Sequence, residues 1–273
     1  MALYRGMDRA QLDAAYNNRA AVPEYEEISA RRRERSAEAR AARAGRYDLR
    51  YGDSPRERLD FFPASGPRAP IVAFIHGGYW QTNDKEPSSF LVEGPLAHGF
   101  GVALIEYTLA PEAGIERIVG EVRRAVGWLA SHAAELGGDG RVYVSGHSAG
   151  GHLTASSLDV PGVAGGLAIS GLFDLEPIRL CYLNEKLRLT GESARRFSPL
   201  LHLPPRMAPL VVAVGAAELP ELVRQSADYA AALLSRGLPV RYLPLAGHDH
   251  FTVLEELARP DGALCKALED LAK

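Results

Sequence analysis

Beyond residue 45, short segments of strand character alternate with segments of helical periodicity. Strands are predicted near 46–51, 57–62, 71–75, 101–107, 141–145, 163–170, 209–215 and 240–245. The first two alternate polar and apolar residues, as an edge hairpin does, whereas the later ones are mostly apolar. Apolar strands separated by helices indicate an α/β protein with a mostly parallel eight-stranded sheet and helices on both faces. Ligand sites in such sheets lie beyond the carboxyl ends of the strands.

One predicted strand ends in the motif Gly146-His147-Ser148-Ala149-Gly150. A serine with glycine two residues away on either side is typical of a sharp strand-to-helix turn that exposes a nucleophilic hydroxyl above the sheet. The turn is too tight for side chains at the flanking positions, so glycine fits there. The motif therefore predicts Ser148 as a nucleophile.

A second glycine-rich motif, His76-Gly77-Gly78-Tyr79-Trp80, directly follows the strand predicted at 71–75. Acyl transfer places negative charge on a carbonyl oxygen, which N–H groups of such a loop and of the residue after the nucleophile stabilise. We therefore predict an oxyanion hole formed by Gly77, Gly78 and Ala149. The residues predicted to line the substrate pocket are His76, Tyr79, Trp80 and His147. In the alternative interpretation, Tyr79 and Trp80 are buried packing residues.

A serine nucleophile needs a histidine base, and in this architecture the base follows the nucleophile along the chain. Beyond Ser148, His152 lies one helical turn after the serine and His202 lies in a proline-rich loop. The other two candidates, His248 and His250, follow the last predicted strand. We favour His250 because it directly precedes an apolar helical pattern, and we expect His248 at the pocket rim or as a hydrogen-bond partner.

The acid that orients the histidine is expected after the strand at 209–215, where Glu218 is the first carboxylate. Glu221 is a rival, but the preceding Pro220 predicts that it lies in the first turn of a helix. Asp249, beside the histidines, is a third candidate and is expected as a supporting or solvated residue. The sequence favours Glu218 and leaves the other two open.

The composition restricts the class of partner. The chain has 273 residues, 47% of them hydrophobic, which is enough for one domain over 1–273 with a sizeable core. Lys and Arg number 31 against 34 Asp and Glu, so a net charge of −3 gives no reason to expect nucleic acid or an anionic membrane. We expect a small-molecule partner, and homodimer formation stays open. Cys181 and Cys265 lie far apart, which indicates neither a disulfide framework nor a zinc site, and we expect no metal or other cofactor.

Two segments stand outside the regular alternation. Residues 1–45 predict a helical N-terminal extension whose arginines are interspersed with glutamates, which favours a solvated amphipathic helix resting on the domain over a nucleic-acid-binding arm. Residues 174–207 contain four prolines and predict a cap-like insertion over the pocket. The N-terminus lacks the apolar core of a signal peptide, and no window approaches 18 consecutive apolar residues, so we expect a cytoplasmic protein.

Together, the two glycine motifs resemble those of the α/β-hydrolase fold and, within it, of the hormone-sensitive-lipase-like esterases. The resemblance is closer to the kynurenine formamidase (arylformamidase) branch. Further stretches that carry it are Tyr16-Asn17-Asn18-Arg19, Tyr107-Thr108-Leu109-Ala110-Pro111-Glu112, and Glu218-Leu219-Pro220-Glu221 followed by Arg224-Gln225-Ser226. The resemblance implies Ser148 as nucleophile, His250 as base and Glu218 as acid, where many relatives have aspartate.

The activity that these residues predict is hydrolysis, through a Ser-His-Glu triad and an acyl-enzyme, of a small acyl amide or ester of an aromatic compound. In the branch that the sequence resembles, the acyl group is formyl. A general carboxylesterase for short-chain esters would use the same residues. A ligand-binding protein of the same fold without turnover is a third interpretation, which the intact set of triad candidates disfavours.

Overall fold

A computed structural model of the protein describes residues 2–273. Its central sheet has eight strands in the order β1-β2-β4-β3-β5-β6-β7-β8. The strands are β1 (Arg46–Arg50), β2 (Arg58–Phe62), β3 (Ala69–Ile75), β4 (Gly101–Ile105), β5 (Gly138–His147), β6 (Val163–Ile169), β7 (Leu210–Gly215) and β8 (Val240–Leu245). The pairs β1–β2 and β2–β4 are antiparallel, and every other pair is parallel. All eight predicted strands are therefore present, with the expected hairpin at one edge.

Helices cover both faces of the sheet. They are α1 (Arg9–Ala15), α2 (Asn18–Ala21), α3 (Tyr25–Ala42), α4 (Glu93–Ala97), α5 (Ile115–Ser131), α6 (Ala149–Ala155), α7 (Glu176–Leu180), α8 (Asn184–Leu187), α9 (Gly191–Arg196), α10 (Pro220–Ser235), α11 (Glu255–Ala258) and α12 (Ala263–Ala272), with short 3₁₀ helices at Glu86–Val92, Ala134–Leu136, Pro199–Leu201 and Thr252–Leu254. In β3, Ile71, Ala73 and Ile75 belong to a core that includes α5, whereas the alternate residues Val72 and Phe74 belong to a second core that includes α12. The period of two along the strand thus provides two apolar faces, and each face is covered by helices.

The buried face of α5 follows from its sequence spacing. Ile115, Ile118, Val122, Val126 and Leu129 recur at intervals of three and four residues, and each is at most 4% exposed. That spacing places them on one side of the helix, where they pack on the sheet. Burial of such side chains, at roughly 1.5–3 kcal/mol each, is what holds the helix in place.

The N-terminal extension is helical, as predicted, but the expectation of an amphipathic α3 is wrong. Its apolar residues form no continuous stripe, and the buried ones are Ile28 and Ala39. The helix docks largely through arginines: Arg35 contacts Glu255 at 2.6 Å, and Arg40 contacts Asp60, a fully buried carboxylate, at 2.6 Å. Arginine permits this because its apolar stem covers surface while the guanidinium reaches an acidic partner.

The insertion at 174–207 consists of α7, α8, α9 and a 3₁₀ turn joined by short connections. Its apolar residues pack into the same core as α5, among them Leu175, Ile178, Leu187 and Ala194. It is therefore an ordered helical segment adjoining the carboxyl edge of the sheet. Within residues 2–273, no helix combines the length and the apolar character that crossing a membrane requires.

Candidate active site

Ser148 lies at the junction between β5 and α6, as its motif predicts. Its φ and ψ are 58° and −116°, a combination that non-glycine residues rarely adopt. A Cβ on Gly146 would lie 2.3 Å from the Gly150 carbonyl oxygen, and a Cβ on Gly150 would lie 2.0 Å from the Ile75 carbonyl oxygen. Backbone packs against backbone on both sides of the serine, which is the physical reason for the two glycines.

The loop after β3 brings Gly77 against the serine turn. A Cβ on Gly77 would lie 2.8 Å from the His147 carbonyl oxygen and 3.1 Å from the Ser148 Cβ. Gly78 has a φ of +110°, and a Cβ there would lie 2.3 Å from the Thr82 carbonyl oxygen. Only glycine fits these two positions, and the loop can therefore approach the nucleophile with its backbone.

Three backbone N–H groups beside the serine are available to a ligand. Within residues 2–273, the N–H groups of Gly77, Gly78 and Ala149 donate to no protein acceptor. Ala149 opens α6, where the first N–H groups have no partner inside the helix and the helix dipole favours negative charge. The arrangement suits an oxyanion.

The side chain of His76 stabilises the loop that contains Gly77 and Gly78. Its ring stacks on Tyr107 at 4.4 Å between centroids, its Nδ1 donates to the Gly77 carbonyl at 2.8 Å, and its Nε2 lies 3.3 Å from Glu106 Oε1. Burial raises the pKa of Glu106, but hydrogen bonds from His76 and from the Lys85 N–H, with the charge of Arg56, outweigh it and lower the pKa below its usual value. A stable carboxylate thus holds the ring in place.

His250 and Glu218 form a buried pair. The Nδ1 atom of His250 lies 2.6 Å from Glu218 Oε2, and their side chains are 5% and 0% exposed. Backbone contacts bring their loops together, since the Ala217 N–H donates to the His248 carbonyl at 3.0 Å. A Cβ on Gly215 would lie 2.3 Å from that same carbonyl oxygen, so glycine is required where the two loops meet.

The other candidates for base and acid are engaged elsewhere. His248 contacts the Thr252 carbonyl at 3.2 Å and Glu256 at 3.4 Å. Glu221 lies in the first turn of α10, as predicted, and its carboxylate binds Arg224 and the Tyr16 hydroxyl. Asp249 accepts from the backbone N–H groups of the two residues that follow His250. The structure pairs none of these three with a candidate catalytic partner.

The nucleophile and the histidine open onto one cavity of about 430 Å³. It is lined by seven of the ten predicted site residues, namely His76, Gly77, Gly78, Tyr79, His147, Ser148 and His250, and not by Ala149, Glu218 or Trp80. Aromatic rings form much of its wall: Tyr25, Phe74, Phe90, Tyr182 and Phe251. The cavity is therefore large enough, and apolar enough, for a small aromatic molecule.

His147, the residue before the serine, contacts the candidate base. Its Nε2 donates to the His250 carbonyl at 2.8 Å, and the two ring centroids are 4.5 Å apart. Burial, reinforced by the neighbouring His250 and Arg32, lowers the pKa of His147 well below its usual value. The ring is therefore neutral, and it holds the histidine loop through a hydrogen bond.

The prediction that Trp80 lines the pocket is wrong. Trp80 is fully buried, packs edge-on against His152 at 5.1 Å, and belongs to the core that contains α5. Tyr79 and Trp80 both have positive φ, 50° and 58°. The chain therefore turns sharply, and the two side chains point in different directions. Tyr79 faces the cavity, and Trp80 faces the core.

We expect Trp80→Ala to act on stability and not on substrate choice. Deleting a buried indole should lower the free energy of unfolding by about 3–5 kcal/mol. Because Trp80 does not line the cavity, kcat/KM for an aryl formamide and for a small alkyl ester should fall by the same factor. Chemical denaturation would measure the free energy of unfolding, and steady-state kinetics would give kcat/KM on the two substrates. A larger loss on the aryl substrate than on the alkyl ester would show that Trp80 contacts the substrate.

The sequence interpretation missed how far the N-terminal segment enters the cavity wall. Asn18 and Arg32 line the cavity, and the Asn18 amide donates to the Tyr79 hydroxyl at 3.0 Å. The Tyr79 hydroxyl in turn donates to the Tyr16 carbonyl at 2.7 Å, while the Tyr16 hydroxyl donates to Glu221 at 3.0 Å. The available signal was the stretch of residues 16–19, whose partners cannot be read from a linear sequence.

Comparison with known proteins places the chain in a family. The BD-FAE family model matches residues 59–158. A kynurenine formamidase of Danio rerio is 35% identical over 236 residues, covering 81% of this chain and 80% of the relative. One from Salmo salar is 36% identical over 235 residues, covering 80% and 79%. The chain belongs to the kynurenine formamidase family.

Solved structures agree with this membership. A candidate thioesterase from Silicibacter sp. TM1040 superimposes with a TM-score of 0.87 at 31% identity, covering 95% of this chain and 99% of the other. The carboxylesterase EstE1, cloned from a metagenomic library, has a TM-score of 0.72 at 22% identity, covering 92% and 97%, which shows the fold alone. This member of the kynurenine formamidase family is thus a hydrolase with the α/β-hydrolase fold.

Proposed function

We propose that the protein hydrolyses a small acyl amide or ester of an aromatic compound, with formyl as the preferred acyl group. The reaction uses Ser148 as nucleophile, His250 as base and Glu218 as acid, and it passes through an acyl-enzyme. The observation that carries the proposal is the buried His250–Glu218 pair at 2.6 Å, whose histidine lines the same cavity as Ser148 and the loop of Gly77 and Gly78.

In the first step the Ser148 hydroxyl attacks the acyl carbon and its proton passes to His250. Glu218 occupies Nδ1 of that ring, which leaves Nε2 to accept the proton. The imidazolium that forms is stabilised by the buried carboxylate. The N–H groups of Gly77, Gly78 and Ala149 then stabilise the negative charge on the former carbonyl oxygen.

Collapse of the tetrahedral intermediate breaks the bond to the leaving group, and His250 returns the proton to the departing nitrogen or oxygen. Water then attacks the acyl-enzyme, again with His250 as base, and releases the acid and free Ser148. For a formamide of an aromatic amine the products are formate and the amine. These steps use only the residues named and a water molecule, and none of them needs a metal ion or a cofactor.

The aromatic wall supports an aryl leaving group. Tyr25, Tyr182 and Phe251 come from three separate parts of the chain and line the same cavity. Aromatic pairs contribute about 0.5–1.5 kcal/mol beyond area burial, so several rings around one ligand favour an aryl group over an alkyl group. A formyl group is the smallest acyl group, and a formamidase must therefore draw most of its binding energy from the leaving group.

The proposal is tested by comparing kcat/KM for N-formylkynurenine with that for nitrophenyl esters from formyl to butyryl. We expect turnover of the formamide and falling activity as the acyl chain lengthens, because kcat/KM reports differential binding of the transition state. Activity that rises steadily from formyl to butyryl, without turnover of N-formylkynurenine, would replace the proposal with a general short-chain carboxylesterase.

Tyr182 offers a direct test of the aromatic wall. We expect Tyr182→Ala to lower kcat/KM for an aryl formamide more than for a small alkyl ester, by a difference of about 1–2 kcal/mol, because one ring contact is lost. Tyr182 is half-buried and lines the cavity, so the fold should tolerate the change. Trp80→Ala, which removes a ring outside the cavity, is the control, and equal losses for Tyr182→Ala would reject the aryl assignment.

A further inference from the structure

Glu218 is held at both carboxylate oxygens. Oε2 accepts from His250, whereas Oε1 accepts from the Ser170 hydroxyl at 2.5 Å and from the Gly215 N–H at 2.8 Å. Ser170 is fully buried, and it lies on the turn that follows β6, a different strand from the one that precedes Glu218. Hydrogen bonds to an ionised acceptor are short and strong, so this hydroxyl is a substantial constraint on the carboxylate.

The backbone of Ser170 adopts a conformation that serine does not favour. Its φ is +52°, in the left-handed region where a Cβ is crowded and where glycine is the usual residue. The position is fixed by its surroundings: the Ser170 N–H donates to the Ala213 carbonyl at 2.7 Å, and a Cβ on Gly151 of α6 would lie 2.8 Å from the Gly171 Cα. These contacts hold the backbone of the turn in place, and neither of them involves the Ser170 hydroxyl.

A strained, buried non-glycine residue that contacts a candidate catalytic group points to a functional reason for its side chain. Glutamate has one more rotatable bond than aspartate, so its carboxylate can turn away from the histidine unless Oε1 is also held. Gly215 supplies a backbone donor, but that donor moves with the same loop as Glu218. Ser170 supplies the donor from the neighbouring strand.

We propose that Ser170 is a positioning residue, which fixes the Glu218 carboxylate against His250 from an unfavourable backbone conformation. This inference rests on the proposed triad. It assigns Ser170 no contact with the substrate, since the side chain is buried behind Glu218 and does not line the cavity. Its removal should therefore lower kcat and leave KM nearly unchanged.

The test compares Ser170→Gly and Ser170→Ala, both of which remove the hydroxyl. Each should lower kcat about 10- to 100-fold while KM changes less than about threefold. Only glycine relieves the positive φ, so Ser170→Gly should melt about 2–4 °C above Ser170→Ala. If both variants lose the same factor in kcat but differ in melting temperature, the kinetic loss is due to the missing hydroxyl and not to backbone strain. A wild-type kcat in Ser170→Gly would overturn the inference.

Arg68 provides a matched control for the strain. It also has a positive φ, +53°, but it is exposed, directly precedes β3 and does not line the cavity. Arg68→Gly should likewise melt above Arg68→Ala, with kcat and KM unchanged in both. A kinetic loss in the Arg68 pair would show that relief of strain alone alters turnover, and the Ser170 result would then not support a positioning role.

A double-mutant cycle tests whether Ser170 acts through Glu218. If it does, Ser170→Gly should cost less than about threefold in a Glu218→Gln background, because the group that it positions has already been lost. An undiminished 10- to 100-fold loss in that background would mean that Ser170 acts by another route. Ser148→Ala distinguishes failure of the proposed triad from failure of the Ser170 proposal. Hydrolysis that survives Ser148→Ala contradicts the triad. If Ser148→Ala is inactive but Ser170→Gly is fully active, the triad stands and only the role of Ser170 is contradicted.

Discussion

Ser148→Ala is expected to lower kcat about 10⁴-fold or more, because the acyl-enzyme pathway is lost while the oxyanion donors and the cavity remain. His250→Ala should cause a loss of similar size, since without a base the serine hydroxyl is a poor nucleophile. The double variant should be at most about threefold worse than either single one, because the two residues act as a unit. Steady-state kinetics on the best substrate of the screen would measure all three.

His248→Ala is the matched control for the base. His248 lies two residues away on the same loop, yet its ring contacts Thr252 and Glu256 and does not line the cavity. We expect it to retain most activity. An inactive His248→Ala together with an active His250→Ala would reverse the assignment. A pre-steady-state burst on an activated ester that depends on Ser148 would demonstrate the covalent intermediate.

Glu218→Gln is expected to leave the protein folded and to lower kcat/KM about 10²- to 10⁴-fold. Glutamine has nearly the same shape and keeps an oxygen for the donors at Ser170 and Gly215, so circular dichroism and the melting temperature should change little. It cannot carry the negative charge that stabilises the imidazolium of His250, and its amide favours the wrong ring tautomer.

Glu221→Gln serves as the comparison for the acid. Glu221 is also a buried carboxylate at the same end of β7, but it binds Arg224 and the Tyr16 hydroxyl of the N-terminal segment. Its loss should affect the docking of that segment more than the chemical step, and kcat should fall far less than in Glu218→Gln. An unimpaired Glu218→Gln would instead direct attention to Glu221 or Asp249.

The N-terminal segment changes the interpretation of the arginine-rich sequence. Arg32 donates to the Phe251 carbonyl, one residue beyond the candidate base, and Arg35 pairs with Glu255 on the next helix. With Asn18 bound to Tyr79, the segment contacts both the loop beside the oxyanion donors and the loop that carries His250. The segment is thus part of the cavity wall, and its charges serve specific contacts within the fold.

The sequence alone determined the features that depend on local geometry. The periodicity of the sequence predicted all eight strands, and their alternation with helical patterns predicted helices on both faces of the sheet, because the burial of one or two faces imposes those periods. The positions of Ser148, Gly77 and Gly78 were equally predictable, since a tight turn and a close backbone approach leave no room for a side chain at the glycines. Such constraints act on residues that are close together along the chain, and they can therefore be predicted from the sequence.

Tertiary structure decided what depends on distance between remote segments. Three carboxylates and two histidines were compatible with the sequence, and only the meeting of the loops after β7 and β8 paired Glu218 with His250. Trp80 is buried because Tyr79 and Trp80 both have positive φ, which turns the Trp80 side chain into the core. Neither residue type predicts a positive φ. The contact of Ser170 with Glu218 spans 48 residues, and a hydrogen bond across that separation arises only when neighbouring strands bring their ends together.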